Sequence, residues 1–88
     1  MAGDADLVLV VLRIRGRVQG VGYRVNARRE ADRLGIDVRP ENLPDGSVRI
    51  EVRGGADAVA AFRRWCEQGP ELAHVDTVEE DTAGMDES

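Results

Sequence analysis

Two stretches of this chain carry apolar side chains at every second position. In the first, "LVLVVLRIRGRV" (residues 7–18), Val8, Val10, Leu12 and Ile14 fall on one side and Arg13 and Arg15 on the other. In the second, Val48, Ile50 and Val52 alternate with Arg49, Glu51 and Arg53. Side chains of a strand point to opposite faces with a period of two, so each stretch reads as a strand with one buried and one wet face. Strands of this kind demand a sheet that is covered on one side only. The four arginines are expected to line its solvent face.

The segments between them carry the helical period instead. Tyr23, Ala27, Ala31 and Leu34 form a stripe over residues 22–34, flanked by Val21 and Val25. Gly35 is placed to end that helix. The alanines imply a helix lying close against a sheet, with Arg28, Arg29 and Arg33 facing water. A second stripe of Val59, Phe62 and Trp65 predicts a helix over 56–68, with Asp57 in its first turn and "GP" at 69–70 stopping it. Residues 36–55 read as a hairpin turning at "PDG", where Pro44 presets φ and Gly46 can take a positive one. Pro40 lies in the outgoing strand and has no N–H to give, so that strand is expected at a sheet edge or bulged. "AHVDTVEED" (73–81) supplies a fourth strand.

The order β-α-β-β-α-β predicts a two-layer α+β sandwich of the ferredoxin-like type, with two helices on one face of an antiparallel sheet. With 88 residues the chain has room for one domain, with 1–6 and 82–88 expected to be frayed.

Charge and cysteine usage narrow the partners. All twelve basic side chains are arginines, and the net charge is −5. Residues 1–65 carry twelve arginines against nine acids, whereas 66–88 carry eight acids and no arginine. An acidic tail beside a basic body argues against wholesale nucleic-acid binding. The lone Cys66 excludes an internal disulfide and fits a reducing, cytoplasmic location. No stretch is long enough to span a membrane. Glu79, Glu80 and Asp81 read as a solvated strand end rather than a metal site.

Chemistry concentrates in "GRVQGVGYR" (16–24), at the junction of the first strand and first helix. Gly20 and Gly22 admit backbone conformations closed to other residues, and successive N–H groups in such a loop can converge into an anion-binding nest. The helix start adds unpaired N–H groups and partial positive charge. Arg24 in the first helical turn is unfavourable for the helix itself, and becomes tolerable if its planar fork faces an anion. A glycine-rich turn carrying solvated arginines explains the same residues.

"GRVQGVGYR" resembles the signature loop of the acylphosphatases, and "NLPDG" at 42–46 resembles that family's second block. The spacing from "LG" at 34–35 to Asn42 also matches the family pattern. The resemblance implies cofactor-free and metal-free hydrolysis of a small-molecule acyl phosphate to a carboxylate and inorganic phosphate. It places the phosphate-binding arginine at Arg24, the loop amides at Gln19, Gly20, Val21, Gly22 and Tyr23, and the water-positioning asparagine at Asn42. The substrate's own phosphate is then expected to accept the water's proton. His74, distant from the motif in sequence, is expected at a surface or strand edge, and Arg17 is given no catalytic role.

Two features depart from the family pattern. Before Asn42 stands "VRPE" instead of an apolar or aromatic strand; alternation should turn Glu41 away from Asn42, and a bulge at Pro40 would change that aim. The tail "TAGMDES" cannot supply the usual last strand, so an uncovered sheet edge, reduced stability and weak self-association of an otherwise monomeric protein are expected. These departures motivate an alternative reading, a non-catalytic phosphate-binding or regulatory module of the same fold. An RNA-recognition module shares the element order, but neither central strand carries an aromatic on which a base could stack.

Overall fold

The computed structural model describes residues 7–81; the expectations for 1–6 and 82–88, including the missing last strand, lie outside the described residues. The elements run β1 (Leu7–Arg17), α1 (Tyr23–Leu34), β2 (Asp37–Asn42), β3 (Val48–Gly55), α2 (Ala56–Gln68) and β4 (His74–Asp81). The four strands form one antiparallel sheet in the order β2-β3-β1-β4, with both alternating segments, β1 and β3, in the centre. Central strands are the ones whose buried face must be apolar throughout, and Leu12, Ile14, Val48, Ile50 and Val52 are fully buried. The helices close over them with Tyr23, Ala27 and Ala31 from α1 and Val59, Phe62 and Cys66 from α2. Small alanines at the contact let α1 approach the sheet closely.

Most local signals act where they stand. Gly35 takes φ 74° and ends α1, with its N–H on Asp32 O and the next N–H, of Ile36, on Ala31 O. Asp57 occupies the first turn of α2, and Gly69 N–H reaches Trp65 O before Pro70 breaks the helix. Phe62 and Trp65 stack at 5.9 Å between ring centres, and Trp65 tilts against Tyr23 at 5.4 Å. Val25 departs from its expected place beside the α1 stripe: it is 54% exposed.

Pro40 sits on an edge strand, as expected, and β2 pairs with β3 without a register shift from Asp37↔Arg53 to Asn42↔Val48. The expected alternative of a bulge at Pro40 is therefore not realised. An edge strand has one side that owes no hydrogen bond to the sheet, and a proline there costs the ladder nothing. The register shift falls instead between Arg15 and Gly16, where β1 meets β4.

Alternation also settles the charged side chains. Glu41 turns to the open face against Arg49, 3.9 Å away, and Asn42 takes the opposite side. Glu79 pairs with Arg15 on the open face at 3.3 Å, while Glu80 reaches Arg63 of α2 at 3.3 Å on the other. These pairs are largely exposed and contribute little to stability.

Candidate active site

The loop between β1 and α1 is shaped by two glycines. Gly20 and Gly22 take φ 78° and 81°, the left-handed region that other residues enter at a cost. Gly22 is the residue before the helix, and its carbonyl accepts both the backbone N–H of Asn26 at 3.0 Å and the Asn26 side-chain amide at 2.8 Å. No side chain caps the N-terminus of α1, and no acidic residue stands in its first turn. The Gly20 amide makes no hydrogen bond with any described residue, and the first amides of α1 have no side-chain cap. Donors are thus left free at a point where the helix dipole already favours negative charge.

Across from this loop, the β2–β3 turn brings up Asn42. Gly46 N–H closes the turn on Leu43 O at 3.0 Å, and Leu43 N–H bonds Ser47 O at 2.9 Å. The Asp45 carboxylate accepts from the Ser47 N–H at 2.9 Å and from its hydroxyl at 2.6 Å. These two hydrogen bonds hold the Asp45 carboxyl below its ordinary range, with Arg15, 3.4 Å away, adding to the effect. Ser47 is the buried polar residue at the base of the turn.

Loop and turn enclose a cavity of about 120 Å³ lined by Val18, Gly20, Gly22, Tyr23, Arg24, Val25 and Asn42. Arg24 and Asn42, eighteen positions apart in sequence, therefore face one space. Neither side chain forms an ion pair or hydrogen bond with a described residue. Given the roughly 30 Å³ that a water occupies in the liquid, the cavity has room for a phosphoryl group and a neighbouring water.

The expected site residues divide by where their side chains go. Gly20, Gly22, Tyr23, Arg24 and Asn42 line the cavity, whereas Gln19 and Val21 are not among its lining residues. Val21 packs against the core. Gln19 sends its side-chain amide to the turn, 2.8 Å from both Leu43 O and Ser47 O. Tyr23 turns its ring inward, 1% exposed, and donates its hydroxyl to Cys66 O at 2.7 Å. Burial pushes both the Tyr23 hydroxyl and the Cys66 thiol above their ordinary range, the thiol to about 12.

His74 is closer to the motif in space than in sequence: it lies opposite Arg17 across β1 and β4. It is nonetheless at a strand edge, exposed and 3.4 Å from Asp76, and it does not line the cavity. Sequence reasoning passed over Gln19 as a cross-link and Val25 as an apolar wall of the cavity. For Val25 no local signal was available, since consecutive helical residues point about 100° apart.

Known proteins match this chain over most of its length. A family model for acylphosphatase matches residues 10–88. The acylphosphatase of a Nocardioides species is 52% identical over 77 residues, covering 86% of this chain and 78% of that protein. That of Thiobacillus denitrificans is 54% identical over 68 residues, covering 77% and 76%. The structure of an acylphosphatase from Coxiella burnetii superposes with a TM-score of 0.84 at 26% identity, over 90% of this chain and 83% of that one. With the family model spanning most of the chain and relatives about half identical over most of their length, this chain belongs to the acylphosphatase family.

Proposed function

We propose that Arg24 and the backbone amides of residues 19–23 hold the phosphoryl group of an acyl phosphate, and that Asn42 orients the water that attacks it. The overall reaction is that of an acylphosphatase: an acyl phosphate and water give a carboxylate and inorganic phosphate. The observation that carries the assignment of roles is the sharing of one cavity by Arg24, the glycine loop and Asn42.

The chemistry asks little more of the protein. The water oxygen bonds to phosphorus as the bond to the acyl oxygen breaks, and that electron pair leaves on the carboxylate, already a good leaving group. The water's proton passes to a phosphoryl oxygen of the substrate. What remains for the protein is to neutralise the charge on the phosphoryl oxygens and to align the attacker. Arg24 offers two parallel N–H donors, and the loop adds amides that need no reorganisation. Asn42 can donate to one partner and accept from another while remaining uncharged beside the phosphate.

The non-catalytic alternative rested on Pro40, Glu41 and the tail. Pro40 leaves the ladder in register, and Glu41 faces Arg49 on the opposite side of the sheet from Asn42. Both observations support catalysis over the alternative, as do relatives at about half identity that are themselves acylphosphatases. As for other partners, Tyr23, Phe62 and Trp65 all pack in the helical layer, which supports a small-molecule substrate over a stacked nucleic acid. No helix among the described residues is long and apolar enough to cross a membrane. The free, buried thiol of Cys66 supports a reducing, cytoplasmic location. Single-domain and monomeric states complete this reading, and light scattering at several concentrations checks the latter.

Benzoyl phosphate hydrolysis in the presence of a chelator tests the assignment. The parent is expected to turn over, and Arg24→Ala and Asn42→Ala each to lose about 10²–10³ in rate, as for removal of one well-placed donor. Turnover in Arg24→Ala equal to the parent's would refute the role of Arg24, and activity abolished by the chelator would refute metal independence.

A further inference from the structure

We infer that Gln19 is a positioning residue, a strut that sets the distance between the bound phosphoryl group and the water held by Asn42; this rests on the roles proposed above for Arg24 and Asn42. Its Nε2 lies 2.8 Å from Leu43 O and 2.8 Å from Ser47 O, partners 24 and 28 residues away. Both acceptors are carbonyl oxygens, so the NH2 end must face them, and both of its hydrogens are used.

The turn does not need these bonds to close. Leu43 O already accepts from Gly46 N–H, and Ser47 O already accepts from Leu43 N–H. A carbonyl has two lone pairs, and Gln19 takes the second on each. What the side chain adds is a direct tie between the glycine loop and the turn that bears Asn42. Gln19 immediately precedes Gly20 of the anion-binding loop, and Leu43 immediately follows Asn42. The Asn42 side chain has no hydrogen bond to a described residue, so its place is set by its backbone, whose next carbonyl is the one Gln19 holds. A carboxylate in place of the carboxamide would meet both carbonyls with acceptors only.

Gln19→Met keeps the length of the side chain and removes both donors. It is expected to lower kcat for benzoyl phosphate by roughly ten- to a hundredfold, the scale of an ångström-sized misplacement. Inhibition by inorganic phosphate, which reads Arg24 and the loop amides, is expected to change by less than about threefold, well under the cost of losing a donor. The deciding readout is the double variant. If Gln19 acts through Asn42, adding Gln19→Met to Asn42→Ala leaves kcat where Asn42→Ala alone put it. Parent-like kcat in Gln19→Met, or losses that multiply in the double variant, overturns the inference while leaving the proposed site intact. Parent-like kcat in Asn42→Ala overturns the site and the inference together. Should Gln19→Met not fold, hydrogen exchange of the Gln19 side-chain amide in the parent decides: protection supports the strut, and exchange at the rate of a free carboxamide overturns it.

Discussion

Tyr23→Phe should destabilise this protein well beyond the loss of one oxygen atom. The reason lies at the end of α2. The Cys66 carbonyl would ordinarily accept the N–H four residues on, but that residue is Pro70, which has none. Gly69 N–H goes to Trp65 O instead. The Tyr23 hydroxyl, 2.7 Å away, supplies the missing donor from the neighbouring helix. Cys66 is 0% exposed and Tyr23 1%, so water cannot replace it. Phenylalanine keeps the ring and its 5.4 Å contact with Trp65 and removes the donor alone. Leaving a buried carbonyl unsatisfied costs about 1–3 kcal/mol. In a domain of this size each kcal/mol lowers Tm by about 4–8 °C. Thermal and urea unfolding of parent and variant measure the effect, and an unchanged urea m-value would show that the same surface is exposed in both. Below the transition, turnover should stay within about threefold of the parent, because the hydroxyl points away from the cavity and no transition-state donor is lost. A fall in Tm of less than about 2 °C would mean that the Cys66 carbonyl does not depend on the Tyr23 hydroxyl, since it implies less than about half a kcal/mol.

Three further outcomes follow from the same geometry. Asp45→Asn should reduce acid sensitivity: the Asp45 carboxyl sits below its ordinary range in the fold, so its contribution is complete above about pH 4 and is lost as pH falls through the lowered value. Melts of parent and variant between neutral and strongly acidic pH should therefore converge at the acid end, and parallel curves would contradict this. Gly22→Ala places a Cβ at φ 81° and 3.3 Å from the Asn26 amide. It should cost about 1–2 kcal/mol in stability and raise KM for benzoyl phosphate; an unchanged KM would mean that the loop conformation does not hold substrate. Cys66, fully buried and with its thiol pushed up to about 12, should resist aromatic disulfide reagents in the native state and react at the rate of global unfolding.

The sheet and helices were legible because each obeys one period without interruption. Leu12, Ile14, Val48, Ile50 and Val52 alternate, and Tyr23, Ala27 and Ala31 repeat at helical spacing; all eight are buried. Arg24 and Asn42 stand out in the sequence through their motifs, and the structure places both on one cavity. Cross-links made by single side chains were not legible. Gln19 reaches carbonyls 24 and 28 positions away, and no local pattern encodes a bond between a polar side chain and a distant backbone. Tyr23 was read as a core residue, whereas its hydroxyl also caps α2; the clue was Pro70, four residues after Cys66. Of the two expectations for Pro40, an edge or a bulge, the edge is the one realised. Pro40 loses nothing at an edge, a position the sequence left open between two choices, while the shift at Gly16 depends on how β1 meets β4.

In the proposed site one anion is enclosed by the loop amides and the Arg24 guanidinium, with Asn42 beside it. Titration of the 15N-labelled protein with inorganic phosphate, followed by two-dimensional NMR, tests this most directly. The largest shifts should fall on the backbone amides of residues 19–24 and on the Asn42 side-chain amide, and Arg24→Ala should abolish them at the same phosphate concentration. Shifts centred elsewhere on the sheet, or undiminished in Arg24→Ala, would contradict the account.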